Sequence, residues 1–157
     1  ANPPSAQYQL IGAARADARP RLADALAQLG THRALVVHGN DGLDEVTLAA
    51  PTHISQVDEH GVREFSWTPE EFGIETTPLD DIKVSGPGES AALIRGVFEG
   101  QQGPARDIVV LNAAAALYTA GVADNPHNAA SEAIVAIDGG AARRLLDLLI
   151  KRSHEAA

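Results

Sequence analysis

From Gln7 to Val37 the chain runs through a short apolar segment, Gln7-Tyr8-Gln9-Leu10-Ile11-Gly12, a helical pattern, and a second apolar run at Ala34 to Val37. In the middle segment Asp17 is placed to cap a helix. Leu22, Leu26 and Leu29 recur at the four- and three-residue steps of one face, and Gly30 follows as a stop. Strand, helix and strand within about thirty residues form a βαβ unit, which forces parallel pairing and a right-handed crossover. The carboxyl end of the second strand is then where an open α/β sheet presents its ligands. At that point the sequence reads Val36-Val37-His38-Gly39-Asn40-Asp41-Gly42-Leu43-Asp44-Glu45, a buried-strand pattern that breaks at Gly39 into a loop with three carboxylates.

Two chemistries fit that loop. Asp44 and Glu45, side by side, are hard oxygen donors of the kind that hold Mg²⁺ while the ion also carries substrate phosphates. Asp41, Asp44 and Glu45 also fit a plainer role, as turn residues and as acids in the first turn of a following helix.

Beyond Pro51, Ile54-Ser55-Gln56-Val57 and Val62 to Trp67 flank Glu59-His60-Gly61 and read as a surface hairpin with His60 in its turn. Thr68-Pro69-Glu70-Glu71 carries a cap, a proline and an acid in the order that starts a short helix, which Gly73 should end. Ser85-Gly86-Pro87-Gly88-Glu89-Ser90 has glycines ahead of a helix but lacks a Walker lysine and a Gly-x-Gly-x-x-Gly pattern, so capping explains it better than phosphate binding. The helix beyond is expected to turn Leu93, Ile94, Val97 and Phe98 inward and to stop at Gly100. Ile108 to Ala120 is apolar on nearly every face, as in a buried helix, and only Asn112 interrupts it. A buried amide must find partners, so Asn112 is expected to tie down a neighbouring loop. Asn125-Pro126 opens another helix through Ile137, and Gly139-Gly140 breaks the chain before a last amphipathic helix carrying Leu145, Leu146, Leu148, Leu149 and Ile150. No repeat or linker divides residues 1–157, which read as one domain.

The net charge of −9 argues against a nucleic-acid partner, since binding a phosphate backbone needs clustered Lys and Arg. An anionic sugar phosphate would need metal ions held by acids to offset the charge. No cysteine is present, which excludes disulfides and thiolate zinc sites. Nothing approaches the roughly 18 consecutive apolar residues of a membrane span, and no signal peptide stands at Ala1, so the expected location is cytoplasmic. The chain also contains no methionine, which suggests a fragment without its N-terminal portion. His38, His53, His127 and His154 have no partner at metal-ligand spacing and read as structural or exposed.

His-Gly-x-Asp-Gly-Leu-Asp-Glu at His38 to Glu45, with Asn2-Pro3 before a strand, Leu111-Asn112-Ala113 in an alanine-rich helix and Ile137-Asp138 near the end, resembles the anthranilate phosphoribosyltransferase family. The resemblance spans nearly the whole chain. It implies the C-terminal part of that family's α/β domain, of the nucleoside phosphorylase/phosphoribosyltransferase type. The expected architecture is a parallel sheet flanked by helices, with an inserted β-hairpin and a helical C-terminal half; the N-terminal helical domain and glycine-rich phosphate loop would lie upstream. It further implies transfer of phosphoribosyl from phosphoribosyl pyrophosphate to anthranilate in tryptophan biosynthesis, with Mg²⁺ on Asp44 and Glu45. No side chain of this portion is expected to act as a catalytic nucleophile. The whole enzyme would be a homodimer through the upstream region, and the fragment alone inactive. The Gly-Pro-Leu that precedes Asn-Pro in the family is missing, and Ser90 stands where the family commonly has Asn, so substrate contacts at Asn2, Ser90 and Asn112 stay open. Two other readings of the same fold are a non-enzymatic nucleic-acid binder, which would show a basic surface, and a nucleoside phosphorylase, which would not carry Asp-Gly-Leu-Asp-Glu.

Overall fold

The computed structural model describes residues 6–155, so Asn2-Pro3 lies outside the described residues. Strand β1 (Tyr8–Gly12), helix α1 (Ala18–Gln28) and strand β2 (Arg33–Gly39) form the expected βαβ unit, with β1 and β2 parallel and Leu10 opposite Leu35. Both faces of β2 are covered, as its unbroken apolar run requires. Leu35 and Val37 face the larger core beneath the later helices, while Ala34 and Val36 face α1.

Helix α1 corrects two expectations, the first being that Asp17 makes no side-chain capping bond and pairs with Arg15 and Arg21 instead. It buries Ala23 and Leu26, whereas Leu22 is 39% and Leu29 80% exposed. A small residue at Ala23 lets the helix lie close to the sheet, and Leu29 falls just past the helix, in the turn ended by Gly30 at φ 71°.

The hairpin of β3 (Thr52–Asp58) and β4 (Gly61–Trp67) is present, with His60 exposed in its turn, but it is more than a surface insert. Strand β3 pairs antiparallel with β2, Val37 opposite Ile54, so the four strands form one mixed sheet in the order β1-β2-β3-β4. Of the hairpin's two strands, only β4, at the edge, faces outward. The polar Ser55 and Gln56 made this segment look superficial, yet both are buried. Ser55 is engaged by Arg19 and Glu64, and Gln56 donates to Asp58 at 2.7 Å and accepts from Arg63 at 3.2 Å. Buried polar groups are tolerated when satisfied in this way.

A single 3₁₀ turn, Pro69–Phe72, follows, with the Glu71 carboxylate accepting the Thr68 N–H at 2.8 Å and Gly73 ending it at φ 75°. The helical half comprises α2 (Pro87–Phe98), α3 (Pro104–Thr119), α4 (Pro126–Asp138) and α5 (Ala141–Glu155). At the start of α2 the Glu89 carboxylate accepts from the Ser85 N–H and hydroxyl, both at 2.7 Å, which is the capping role expected there. Val97 is buried, but Ile94 is 45% exposed and does not point inward as the sequence pattern suggested.

Helix α3 packs on the sheet and on α4. Val110, Leu111, Ala114 and Ala115 meet Ala129, Ala130 and Ala133, an alanine-rich contact that replaces the aromatic volume this chain lacks. The Asn125 side chain accepts the Asn128 N–H at 2.9 Å and caps α4. Buried Arg106 in the first turn of α3 pairs with Asp138 at the end of α4 at 2.7 Å. Helix α5 follows the Gly139-Gly140 break and buries no residue; Leu145 and Leu149 are 67% and 63% exposed. No helix among the described residues is long and apolar enough to cross a membrane.

Candidate functional site

The loop at the end of β2 is built from its own backbone first. Gly39 donates its N–H to the Leu43 carbonyl at 2.7 Å and its carbonyl accepts from Gly42 N–H at 2.9 Å, so the chain doubles back at once. Gly42 takes φ 94°, which favours glycine. Gly39 favours glycine for a different reason: a Cβ there would stand 2.5 Å from Asp41 Oδ1 and displace that carboxylate. That carboxylate is the centre of the turn. Asp41 Oδ1 accepts the Leu43 N–H at 3.2 Å and Oδ2 accepts the Thr47 hydroxyl at 2.6 Å. Thr47, fully buried, passes the connection on, because its N–H donates to Thr52 Oγ1 at 3.0 Å at the start of β3.

Asp44 and Glu45 share the exposure of Asp41 but not its hydrogen bonds. Both are exposed, and neither carboxylate makes a hydrogen bond or ion pair with any described residue. No helix follows them, since the chain continues as loop to β3, so the helix-capping role considered for them has no helix to cap. The backbone beneath them is nonetheless tightly held. A Cβ on Gly12, at the end of β1, would stand 1.7 Å from the Asp44 carbonyl oxygen, so only glycine lets the two segments touch. Two residues beyond Asp44, Val46 is buried and gripped by Asn112 of α3. Its N–H donates to Asn112 Oδ1 at 3.0 Å, and its carbonyl accepts from Asn112 Nδ2 at 2.9 Å. Asn112 therefore ties down a neighbouring loop, as the sequence implied.

A cleft of about 290 Å³ opens here, lined by Leu10, Gly12, Val37, Asp44, Glu45 and Asn112. It lies across the carboxyl ends of the two parallel strands, with apolar walls and two free carboxylates at its rim. Among the described residues no group of three or more His, Cys, Asp or Glu is arranged as a metal cage. A pair of carboxylates alone suits Mg²⁺, which usually keeps waters and takes its remaining oxygens from substrate phosphates, better than it suits a closed zinc or calcium site.

The other candidates lie elsewhere. His38 is buried, and its Nδ1 must donate to the Ala13 carbonyl at 2.7 Å, because a carbonyl can only accept. His53 meets Ser66, His154 meets the Ile150 carbonyl, and the His127 ring lies beside Gly73. Ser90 sits in the first turn of α2 and does not line the cleft. What sequence reasoning missed was Thr47 and the contact of Gly12 with Asp44. A threonine six residues after an aspartate carries no distinctive signal, but a glycine closing a strand that faces an acidic loop does.

Comparison with known proteins agrees with this geometry. The family model described as the glycosyl transferase family, a/b domain, matches residues 1–143. The anthranilate phosphoribosyltransferase of Nitrosomonas europaea is 41% identical over 154 residues, a stretch covering 98% of this chain and 45% of that protein. The crystal structure of the Thermus thermophilus enzyme of the same name superposes with a TM-score of 0.83 at 35% identity, over 93% of this chain and 43% of that one. The Saccharomyces cerevisiae enzyme in complex with PRPP and Mg gives a TM-score of 0.81 at 25% identity, over 91% of this chain and 42% of that one. The chain thus spans rather less than half the length of the relatives it matches. With the family pattern running through the βαβ unit, the acidic loop and the helical half alike, this chain belongs to the glycosyl transferase family whose a/b domain model it matches.

Proposed function

We propose that this chain is the C-terminal part of the α/β domain of an anthranilate phosphoribosyltransferase, and that in the whole enzyme Asp44 and Glu45 hold Mg²⁺ against the pyrophosphate of phosphoribosyl pyrophosphate. The observation that carries the reading is the contrast inside the loop: Asp41 is consumed by folding, while Asp44 and Glu45 stand free at the carboxyl ends of β1 and β2 on a backbone held by Gly12 and Asn112. Two adjacent free carboxylates repel each other and the net charge of −9, so an arrangement that gathers them favours a cation. Support for the substrates comes from the relatives, whose names and bound molecules include anthranilate in the enzyme name and PRPP with Mg in the yeast complex.

In this reaction the ribosyl C–O bond to pyrophosphate breaks as the anthranilate nitrogen bonds to that carbon, the amine gives up one proton to solvent, and no protein nucleophile is needed. Bound Mg²⁺ would neutralise charge on the departing pyrophosphate and orient it. The chain's own part is positional. Leu10 and Val37 give the cleft dry walls, which strengthen charge interactions inside it, and the two acids fix where the metal-bearing end of the substrate lies. His38 serves the scaffold, with its Nδ1 proton given to Ala13. The phosphate loop, the anthranilate contacts and a homodimer interface are assigned to the upstream portion, and the 157-residue chain alone is expected to be inactive.

The test is transfer by the longer enzyme, followed as loss of anthranilate fluorescence with phosphoribosyl pyrophosphate. Activity that vanishes in excess chelator and returns with Mg²⁺ supports the proposal. Full turnover in excess chelator would remove the metal from it, and turnover by the 157-residue chain alone would remove the assignment of the phosphate loop to the upstream portion.

A further inference from the structure

We infer that Asn112 is a positioning residue for the acidic pair, one that sets the affinity of Asp44 and Glu45 for the metal and donates no hydrogen bond to the substrate's anionic groups. The inference rests on the proposed metal role of those two acids. Asn112 lines the cleft, so a substrate contact is the obvious alternative. Its hydrogen bonds decide against donation to a phosphate or a carboxylate. Nδ2 has two protons, and they go to the Val46 carbonyl at 2.9 Å and to the Ile108 carbonyl one turn back at 3.1 Å. Both acceptors are carbonyls, which fixes the nitrogen on that side of the amide. Oδ1 accepts the Val46 N–H at 3.0 Å. No donor is left to offer a phosphate or a carboxylate.

What the amide does instead is hold Val46 by both of its backbone groups, as a neighbouring strand would, although 66 residues of sequence separate the two. Val46 is 2% exposed and directly follows Glu45. From the other side, the Asp44 carbonyl is packed against Gly12. The two acids are thus the free side chains of a short stretch, Asp44 to Val46, clamped at both ends by β1 and by α3. Fixing the backbone in this way lowers the entropy lost when both carboxylates converge on one ion. Residues that orient metal ligands from behind typically account for about 10–100-fold in metal affinity.

The experiment uses Mn²⁺ as the probe, by the loss of its free-ion paramagnetic resonance signal, on the longer enzyme with phosphoribosyl pyrophosphate present. Amide hydrogen exchange at Val46 is read in parallel. Asn112→Ala and the near-isosteric Asn112→Leu are compared with Thr119→Val, which breaks a bond within the same helix, Thr119 Oγ1 to the Ala115 carbonyl at 2.7 Å, away from the loop. The expected result is faster exchange at Val46 and about 10-fold or greater weakening of Mn²⁺ binding in whichever Asn112 variant folds, with Thr119→Val unchanged in both. Unchanged Mn²⁺ affinity in a folded Asn112 variant, while Asp44→Asn/Glu45→Gln abolishes binding, overturns the positioning role and leaves the acidic pair as ligands. Unchanged affinity in Asp44→Asn/Glu45→Gln overturns the metal role itself. Equal weakening by Thr119→Val also overturns the inference, since general loosening of α3 would then be the cause.

Discussion

Three acids within five residues of one loop have divided two tasks between them. Asp41 has both oxygens engaged, by the Leu43 N–H and the Thr47 hydroxyl, and through Thr47 it joins the end of β2 to the start of β3. Asp44 and Glu45 have none engaged among the described residues. The same residue type at Asp41 and Asp44 therefore does opposite work, and side-chain identity is not what separates them. Backbone surroundings separate them. Around Asp41 the chain doubles back and offers it donors, whereas the backbone of Asp44 and Glu45 is seated against Gly12 and Asn112 and their side chains are turned to solvent.

The largest expected effect breaks the free half. Replacing Asp44 and Glu45 with Asn and Gln keeps size and removes two charges, so transfer by the longer enzyme should fall about 100-fold or more, the loss of several kcal/mol of charge stabilisation. Added Mg²⁺ should restore part of the rate. The melting temperature should hold or rise slightly, because two like charges no longer repel. A stability loss with near-normal turnover at low Mg²⁺ would place this pair alongside Asp41 and end the contrast.

The engaged half should respond in the opposite way. Asp41→Ala removes two hydrogen bonds to a charged acceptor and strips the Thr47 hydroxyl of its partner, at a cost of about 2 kcal/mol. For a chain of this size that is a fall of about 4–8 °C in melting temperature. The Mg²⁺ requirement of the folded fraction should shift far less than in the double variant. Thermal unfolding and a Mg²⁺ titration on the same preparation read both quantities. A variant that melts normally but needs much more Mg²⁺ would make Asp41 a third ligand.

How far the sequence displayed all this depended on the range of the interaction. The βαβ unit, the helix start at Asn125-Pro126 and the stops at Gly30, Gly73 and Gly100 are local, and each was readable from a few neighbouring residues. Asn112 was readable as a buried amide in need of partners. Its partner was not, because Val46 comes near it only through the packing of α3 on the sheet. Leu22, Leu29 and Ile94 misled because apolar periodicity does not say which residue a close-packed face will accept, and in an alanine-rich chain the buried position went to Ala23. The hairpin was found, but Ser55 and Gln56 hid that β3 is a buried strand, since their burial rests on Arg19, Glu64 and Arg63 from other segments. At the site itself, the residues Asp44 and Glu45 stood out by their place after a parallel strand; their freedom from partners became visible only in three dimensions.

The smallest effect sharpens the comparison outside the loop. Glu70 is as exposed as Asp44, yet it is engaged in the manner of Asp41: Oε1 accepts the Thr76 hydroxyl at 2.7 Å and the Thr76 N–H at 3.2 Å. The Thr76 hydroxyl, more than any other contact, pulls its pKa down from 4.5 to about 2. A carboxyl with a depressed folded-state pKa contributes stability that is fully present above its unfolded value and is lost as pH falls through the folded one. Its contribution should therefore fade between about pH 4.5 and pH 2. Glu70→Gln, which cannot titrate, should flatten that part of the wild-type curve of urea midpoint against pH, lying slightly below wild type near neutrality, where an exposed interaction is worth little, and meeting it as pH falls to about 2. An acid limb unchanged in Glu70→Gln would mean that the Thr76 contacts do not couple this exposed carboxylate to the fold, and that engagement of the kind seen at Asp41 carries no weight at the surface.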